Sequence, residues 1–292
     1  MKRRQCIGIS ALSNVETRMM KDTEMVTVNS ESPFSLRGHT ALVTGAGSPH
    51  GIGFATARLM SAMGANVLIT STTERIHDRV RELCEQGGNV IGAFGDLTDP
   101  LTAPRLISLA YEQFGTTDIV VHNAGMTAVG VPESEPQSIE ELDLSAWHEG
   151  LARNLDTAFH TAKCSLPAMI EAGWGRMIFV TSVTGPLMAM KGQVAYAAAK
   201  AGMVGLARAL ALDSAAHGVT VNAVAPGWVS SGSQTAWEFQ QGLSTPLGRN
   251  ATTDEIAAAV AWLATPGASY VTGQCLVIDG GNSIAEERAP SG

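Results

Sequence analysis

Along residues 36–284, short runs of β-branched and aliphatic residues alternate with stretches whose apolar positions recur at helical spacing. Thr40-Ala41-Leu42-Val43-Thr44 predicts a buried strand, and Ile52 to Met63 a helix. Asn66 to Thr70 then predicts a strand, Glu74 to Gln86 a helix, Asn89 to Phe94 a strand, Leu101 to Phe114 a helix, and Asp118 to Val121 a strand. The second half continues with one long helix over Leu144 to Ala172, a strand over Arg176 to Thr181 and a second long helix over Val194 to Ala216. It closes with a strand over Val219 to Val224, a helix over Thr253 to Leu263 and a last strand over Gln274 to Ile278. Strict alternation of strand and helix argues for an α/β fold with helices on both faces of a parallel sheet. Right-handed crossovers make that sheet doubly wound, as in Rossmann-type folds.

No break in composition divides residues 36–284, so they are read as one domain. Residues 1–35 are read as a flexible extension and 285–292 as a tail. The start Met1-Lys2-Arg3-Arg4 is basic, but the apolar run behind it is too short for a signal peptide, and Met19, Met20 or Met25 are alternative starts.

Composition narrows the function classes. Apolar residues make up 45% of the 292 and charged residues only 16%, with abundant Gly and Ala, so elements are expected to pack closely through small side chains. A net charge of −8 lacks the concentrated positive charge that a nucleic-acid partner requires. The four cysteines, Cys6, Cys84, Cys164 and Cys275, form no CxxC pair, which favours a reducing cytoplasm over a disulfide framework. The seven histidines show no HExxH and no Cys/His cluster, so no metal site is expected. Lys200 and Arg208 interrupt the longest apolar candidate for a membrane span, so no membrane is expected either.

Two constellations carry chemistry. The first is the strand–helix junction Thr44-Gly45-Ala46-Gly47-Ser48-Pro49-His50-Gly51-Ile52-Gly53. Glycines there let the backbone turn tightly and approach a pyrophosphate, while the following helix presents free N–H groups and its positive dipole end. A plain tight turn would also need glycine. The second is Tyr196 and Lys200, four apart on one helix face, with Ser182 at the carboxyl edge of a strand 14 residues earlier. That edge is where doubly wound folds bind ligands. Alternatively, the pair is an ordinary exposed i,i+4 contact.

Together with Asp96-Leu97, Asn123-Ala124-Gly125, Asn154, Pro226-Gly227 and Asp279-Gly280-Gly281, these pieces resemble the short-chain dehydrogenase/reductase family in order, over about residues 36–284. The resemblance implies a seven-stranded sheet in the order 3-2-1-4-5-6-7 and NAD(P)-dependent oxidoreduction of a carbonyl/alcohol pair. It implies Tyr196 as general acid, Lys200 lowering its pKa and holding the nicotinamide ribose, and Ser182 on the substrate oxygen. Asn154 would hold a water of a proton relay. Asp96 and Leu97 would frame the adenine, Asn123, Ala124 and Gly125 would line the cofactor bed, and Val229 and Ser231 would follow Pro226-Gly227 against the cofactor.

The chain departs from the family pattern in three places. Ser48-Pro49-His50 lengthen the glycine loop by two residues, the Ser182–Tyr196 interval is one residue longer than usual, and His122 stands where an asparagine is frequent. At the end of the second strand there is no carboxylate to repel a 2′-phosphate. Instead Ser71, Thr72 and Arg75, with His50, favour NADP(H) over NAD(H). The overall flavour is that of the 3-oxoacyl-acyl-carrier-protein reductase group, yet Glu171-Ala172-Gly173, His217 and the acidic charge make a carrier-protein partner doubtful. The lid Ser230 to Pro246, with Trp237 and Phe239 and with Trp228, Met188 and Met190 nearby, suggests a compact apolar carbonyl substrate, although these side chains could simply pack the lid.

Apolar residues on more than one side of both long helices, among them Leu151, Leu155, Phe159, Met203, Leu206 and Leu210, predict a homotetramer. The function expected is NADPH-dependent reduction of a ketone to a secondary alcohol. The alternatives are an NAD-dependent dehydrogenase working in the oxidative direction and, more remotely, a non-catalytic dinucleotide sensor. Epimerase or dehydratase relatives would need a larger C-terminal domain than the residues after Pro226 supply.

Overall fold

The computed structural model describes residues 32–125 and 138–286, so the expectations for residues 1–31, Cys6 included, and for 287–292 lie outside the described residues. Seven strands form one parallel sheet: β1 (Thr40–Val43), β2 (Asn66–Ser71), β3 (Val90–Phe94), β4 (Ile119–His122), β5 (Gly175–Val180), β6 (Val219–Pro226) and β7 (Cys275–Ile278). Their order is β3-β2-β1-β4-β5-β6-β7, the order the family resemblance implied.

Side chains alternate across the sheet, and each face buries its own core. In β1, Ala41 and Val43 pack into one core with α1 (Ile52–Ala62) and α8 (Thr253–Leu263), through Phe54, Met60, Ile256 and Val260. Leu42 points the other way, into a core with α3 (Thr102–Phe114), α5 (Thr157–Ala172) and α6 (Val194–Ser214), through Leu106, Ala158 and Met203. The central strands β1, β4, β5 and β6 are buried throughout, as their continuous apolar runs require in a sheet covered on both faces. α2 (Ile76–Glu85) covers the β2–β3 end and starts two residues later than the pattern predicted.

Two elements differ from the pattern. The single helix expected over Leu144 to Ala172 divides into α4 (Leu144–Leu151), a π-turn over Ala152–Asp156, and α5. At this turn Asn154 Nδ2 donates to the Gly150 carbonyl at 3.1 Å, and Thr157 Oγ1 donates to the Arg153 carbonyl at 2.9 Å. Side chains that bond neighbouring carbonyls compete with the regular ladder, and π-turns often mark functional sites. The lid also contains a helix the pattern did not predict, α7 (Ala236–Leu243). Over Val194–His217 the chain is apolar enough by composition to cross a bilayer, with mean hydropathy 1.2, but here this stretch lies along β6, α4 and α5.

Candidate active site

β1 and β4 are neighbours from which the chain departs in opposite directions, so their carboxyl ends leave a crevice at the switch point. The glycine loop and Asn123 meet there. Thr44 Oγ1 accepts the backbone N–H groups of Asn123 and Ala124, both at 3.0 Å, and Asn123 Nδ2 donates to the carbonyls of Thr44 and Gly45 at 3.2 and 3.1 Å. A Cβ on Gly53 would sit 2.6 Å from the Gly45 carbonyl oxygen and 2.7 Å from Asn123 Nδ2. Only glycine permits that approach. Gly51 caps α1 without any side-chain hydrogen bond, which leaves the first N–H groups of the helix available to an anion. Gly125 continues the bed and lies against Asn154.

The longer lip is fastened at both ends. Ala46 N–H donates to the Thr70 carbonyl at 2.9 Å, and Gly47 lies against Ser71. Across the crevice, Gly232 N–H of the lid donates to the His50 carbonyl at 3.2 Å. His50 therefore lines a cavity of about 670 Å³ with Ser230, Ser231, Thr235 and Phe239.

At the end of β2, Ser71 Oγ donates to the Thr73 carbonyl at 2.8 Å, and Arg75 Nε donates to Thr73 Oγ1 at 3.1 Å. Thr72 lines a second cavity of about 450 Å³ with Gly95, Asp96, Asp99 and Arg105. Asp96 accepts from the backbone and hydroxyl of Thr98, at 2.9 and 2.8 Å, while Leu97 is buried beside it. Arg105, which the sequence reading did not single out, donates to the Phe94 carbonyl at 2.7 Å and forms one wall.

The third group surrounds the start of α6. Lys200 is 3% exposed, its Nζ donates to the Val180 carbonyl at 3.2 Å, and it lies 5.5 Å from the centre of the Tyr196 ring. Burial pulls the ammonium down to about 8. Ser182 follows β5, and its hydroxyl accepts the Thr184 backbone N–H at 3.1 Å and acts to lower the Tyr196 phenol. Burial is the larger influence on that phenol, and the Glu238 carboxylate adds to it, so Tyr196 sits above its usual value despite Ser182. The loop carrying Ser182 closes on α6 only because residue 185 is glycine: at φ +108, a Cβ there would lie 2.3 Å from the Ala197 carbonyl oxygen.

Asn154 is buried against Gly125 and its Oδ1 has no partner, so it offers a free acceptor there. His122 is fully buried between Thr157 and Thr161, each hydroxyl 3.3 Å from a ring nitrogen. Burial and the Lys200 charge push His122 down to about 3, which leaves it neutral. Among the described residues, no three His, Cys, Asp or Glu side chains lie together as metal ligands would.

β6 delivers the lid. Gly227 N–H donates to the Ile278 carbonyl at 2.9 Å, Val229 bridges to Ala251, and Trp228 packs edge-on against Trp237 with centroids 5.7 Å apart. Ser231 Oγ lies 3.2 Å from Ser233 Oγ. Met188 N–H donates to the Val183 carbonyl at 2.9 Å and its sulfur accepts from Asn282, which ties it to the Ser182 loop and to the Asp279-Gly280-Gly281 end. The sequence reading missed Glu238, although Thr235 and Glu238 form a capping box that was legible in the sequence.

This sheet order, glycine crevice and Ser–Tyr–Lys grouping define a dinucleotide-binding oxidoreductase fold, and the comparisons agree. Residues 45–283 match a family model described as "Enoyl-(Acyl carrier protein) reductase". The chain belongs to the short-chain dehydrogenase/reductase family and is an oxidoreductase. It is 36% identical over 251 residues to the 3-oxoacyl-[acyl-carrier-protein] reductase FabG of Salmonella typhimurium, covering 85% of this chain and 98% of that one. It is also 36% identical over 245 residues to the cis-4-hydroxycyclohexanecarboxylate dehydrogenase of Sinomonas cyclohexanicum, covering 82% and 95%. A crystal structure of a putative gluconate dehydrogenase from Agrobacterium tumefaciens superposes with a TM-score of 0.79 at 28% identity, covering 86% and 98%.

Proposed function

We propose that this protein reduces a ketone, either a 3-oxoacyl compound or a small apolar carbonyl, to a secondary alcohol with NADPH. A nicotinamide dinucleotide is the family's cofactor, and the residues present fit one: Gly53 and Gly45 leave the crevice clear of side chains, and the open N-terminus of α1 faces it. When bound, that group supplies the hydride. Asn123, Ala124, Gly125, Pro226, Gly227, Val229 and Ser231 would line its bed, with Asp96 and Leu97 at the adenine end.

The observation that carries this reading is the grouping of Tyr196 with the buried Lys200, 5.5 Å from its ring, beside Ser182 at the end of β5. An acid above its usual value of 10 holds its proton at neutral pH and can give it to a carbonyl oxygen as negative charge develops there. Ser182 hydrogen-bonds the same oxygen, and Lys200 keeps a positive charge below the resulting phenolate. The unpartnered Asn154 Oδ1 would accept a water through which the proton is replaced. A screen of ketones and secondary alcohols with both cofactors, followed at the reduced-nicotinamide absorbance, tests this reading. Turnover of secondary alcohols with NAD alone would favour the oxidative alternative, which the dehydrogenase name of the Sinomonas relative keeps in view.

NADP(H) preference rests on Arg75, held by Thr73 just beyond β2, a strand that ends on Ser71 rather than on a carboxylate. A charge-assisted hydrogen bond contributes about 1.5–3 kcal/mol, so Arg75→Ala is expected to lower kcat/KM for NADPH by roughly 10- to 100-fold and leave NADH nearly unchanged. Equal loss with both cofactors would remove Arg75 from the phosphate site.

The same reading takes residues 36–284 as one cofactor-binding and catalytic unit between an N-terminal extension and a short tail, working in the cytoplasm. It also takes the protein as a homotetramer, supported by Leu212 at 85% exposed on α6 and Phe159 at 48% on α5. Light scattering at micromolar concentration is expected to give four chains; a monomer refutes it. The FabG relatives bear the name of a carrier-protein substrate, but the net charge of −8 argues for a free small molecule here.

A further inference from the structure

His122 is the last residue of β4, and none of its side chain reaches solvent. Along the strand Val121 enters the core with α1 and α8, whereas His122 points with Val120 to the opposite face, onto α5. There each ring nitrogen meets one threonine hydroxyl at 3.3 Å, Nε2 that of Thr157 and Nδ1 that of Thr161.

The two nitrogens hold different things. Thr161 Oγ1 donates to the Thr157 carbonyl at 2.8 Å, so Nδ1 reaches only a regular turn of α5. Thr157 Oγ1 bonds the carbonyls of Arg153 and Asn154, at 2.9 and 3.3 Å. Through Thr157, Nε2 therefore reaches the π-turn over Ala152–Asp156 and the backbone of Asn154 itself.

The Asn154 side chain is set from that turn. Its Nδ2 is engaged with the Gly150 carbonyl at 3.1 Å, which leaves Oδ1 against the cofactor bed: a Cβ on Gly125 would lie 2.9 Å from that oxygen. Oδ1 is buried and has no partner. A buried acceptor without a donor is unfavourable, so it keeps this place only if the backbone that carries it is fixed. His122 does not carry protons for the reaction, because burial and the Lys200 charge leave its ring neutral.

We infer that His122 is a positioning residue: through Nε2 and the Thr157 hydroxyl it ties the end of β4 to the π-turn, and so holds Asn154 Oδ1 at the cofactor bed as the acceptor for the relay water. The inference rests on the proton-relay part of the reading above and adds to it a residue that acts only through Asn154.

Two amide substitutions separate the nitrogens. A glutamine amide reaches where Nε2 lies, and an asparagine amide only where Nδ1 lies. His122→Gln is expected to keep kcat for ketone reduction with NADPH within about threefold of wild type, and His122→Asn to lower it about tenfold. KM for NADPH is expected to stay within about twofold in both, since the glycine crevice is untouched. Equal activity of the two variants, or a larger loss in His122→Gln, overturns the inference. So does a KM for NADPH that rises as far as kcat falls, which a general loosening of the bed would give.

The threonines repeat the contrast from the helix side, without altering β4. Thr157→Val is expected to lower kcat about tenfold and Thr161→Val to leave it within about threefold, and the reverse order overturns the inference. A double-mutant cycle then checks the path. Once Asn154→Ala has removed the acceptor, adding His122→Asn is expected to change kcat no further, whereas independent effects multiply. Losses that multiply overturn the inference. An Asn154→Ala variant as active as wild type strikes the relay reading itself, and the inference with it.

Discussion

Tyr196→Phe is expected to reduce turnover by 10²- to 10⁴-fold while leaving cofactor affinity within about twofold of wild type. Phenylalanine keeps the ring against Lys200 and removes only the hydroxyl that Ser182 engages. The loss falls on kcat because the proton is transferred in the transition state, whereas the glycine crevice that would hold the dinucleotide lies at the ends of β1 and β4. Steady-state kinetics combined with fluorescence titration of NADPH checks both halves. A variant that keeps more than about a tenth of wild-type rate would remove Tyr196 as the acid.

Lys200→Met is expected to abolish turnover and to raise stability at the same time. The ammonium is buried and pulled down to about 8 from the usual 10.5, so the folded state disfavours its charge. At neutral pH that costs about 3 kcal/mol, partly offset by the roughly 1 kcal/mol hydrogen bond to Val180. The cost is complete below pH 8 and fades as pH rises toward 10.5, because over that interval the unfolded chain holds more of the proton. Methionine fills similar space without the charge. Thermal unfolding at pH 7 is therefore expected to shift upward by several degrees, and the advantage over wild type to shrink above pH 8. Loss of activity also follows, since a cation below the phenol is needed once the proton leaves, and cofactor affinity falls with it. A variant less stable than wild type at pH 7 would show that the lysine's contacts outweigh its desolvation. Such an opposition between stability and activity is common where a fold buries a functional charge.

The strands were legible in the chain because a parallel sheet covered on both faces demands continuous apolar runs, such as Ala41-Leu42-Val43 and Ile119-Val120-Val121. The glycine junction and the Tyr196–Lys200 spacing were legible for a similar reason: each meets a local requirement of backbone or helix geometry that few other residues satisfy. The π-turn was not, because Leu144 to Ala172 keeps a helical apolar pattern across it. α7 was passed over because eight residues with a mixed pattern look like loop unless the Thr235–Glu238 box is weighed.

The sequence by itself determined the order of elements, the place of the crevice along the chain and the chemical groups available to it, since periodicity, glycine and side-chain type act over a few residues. The tertiary structure alone decided how those groups act. It fastened the lip to the lid, through a hydrogen bond between residues 50 and 232. It also brought burial to bear on Tyr196, Lys200 and His122, moving their proton affinities in directions that pairwise spacing could not give. Desolvation depends on everything packed around a group, and that is set only when distant segments close over it.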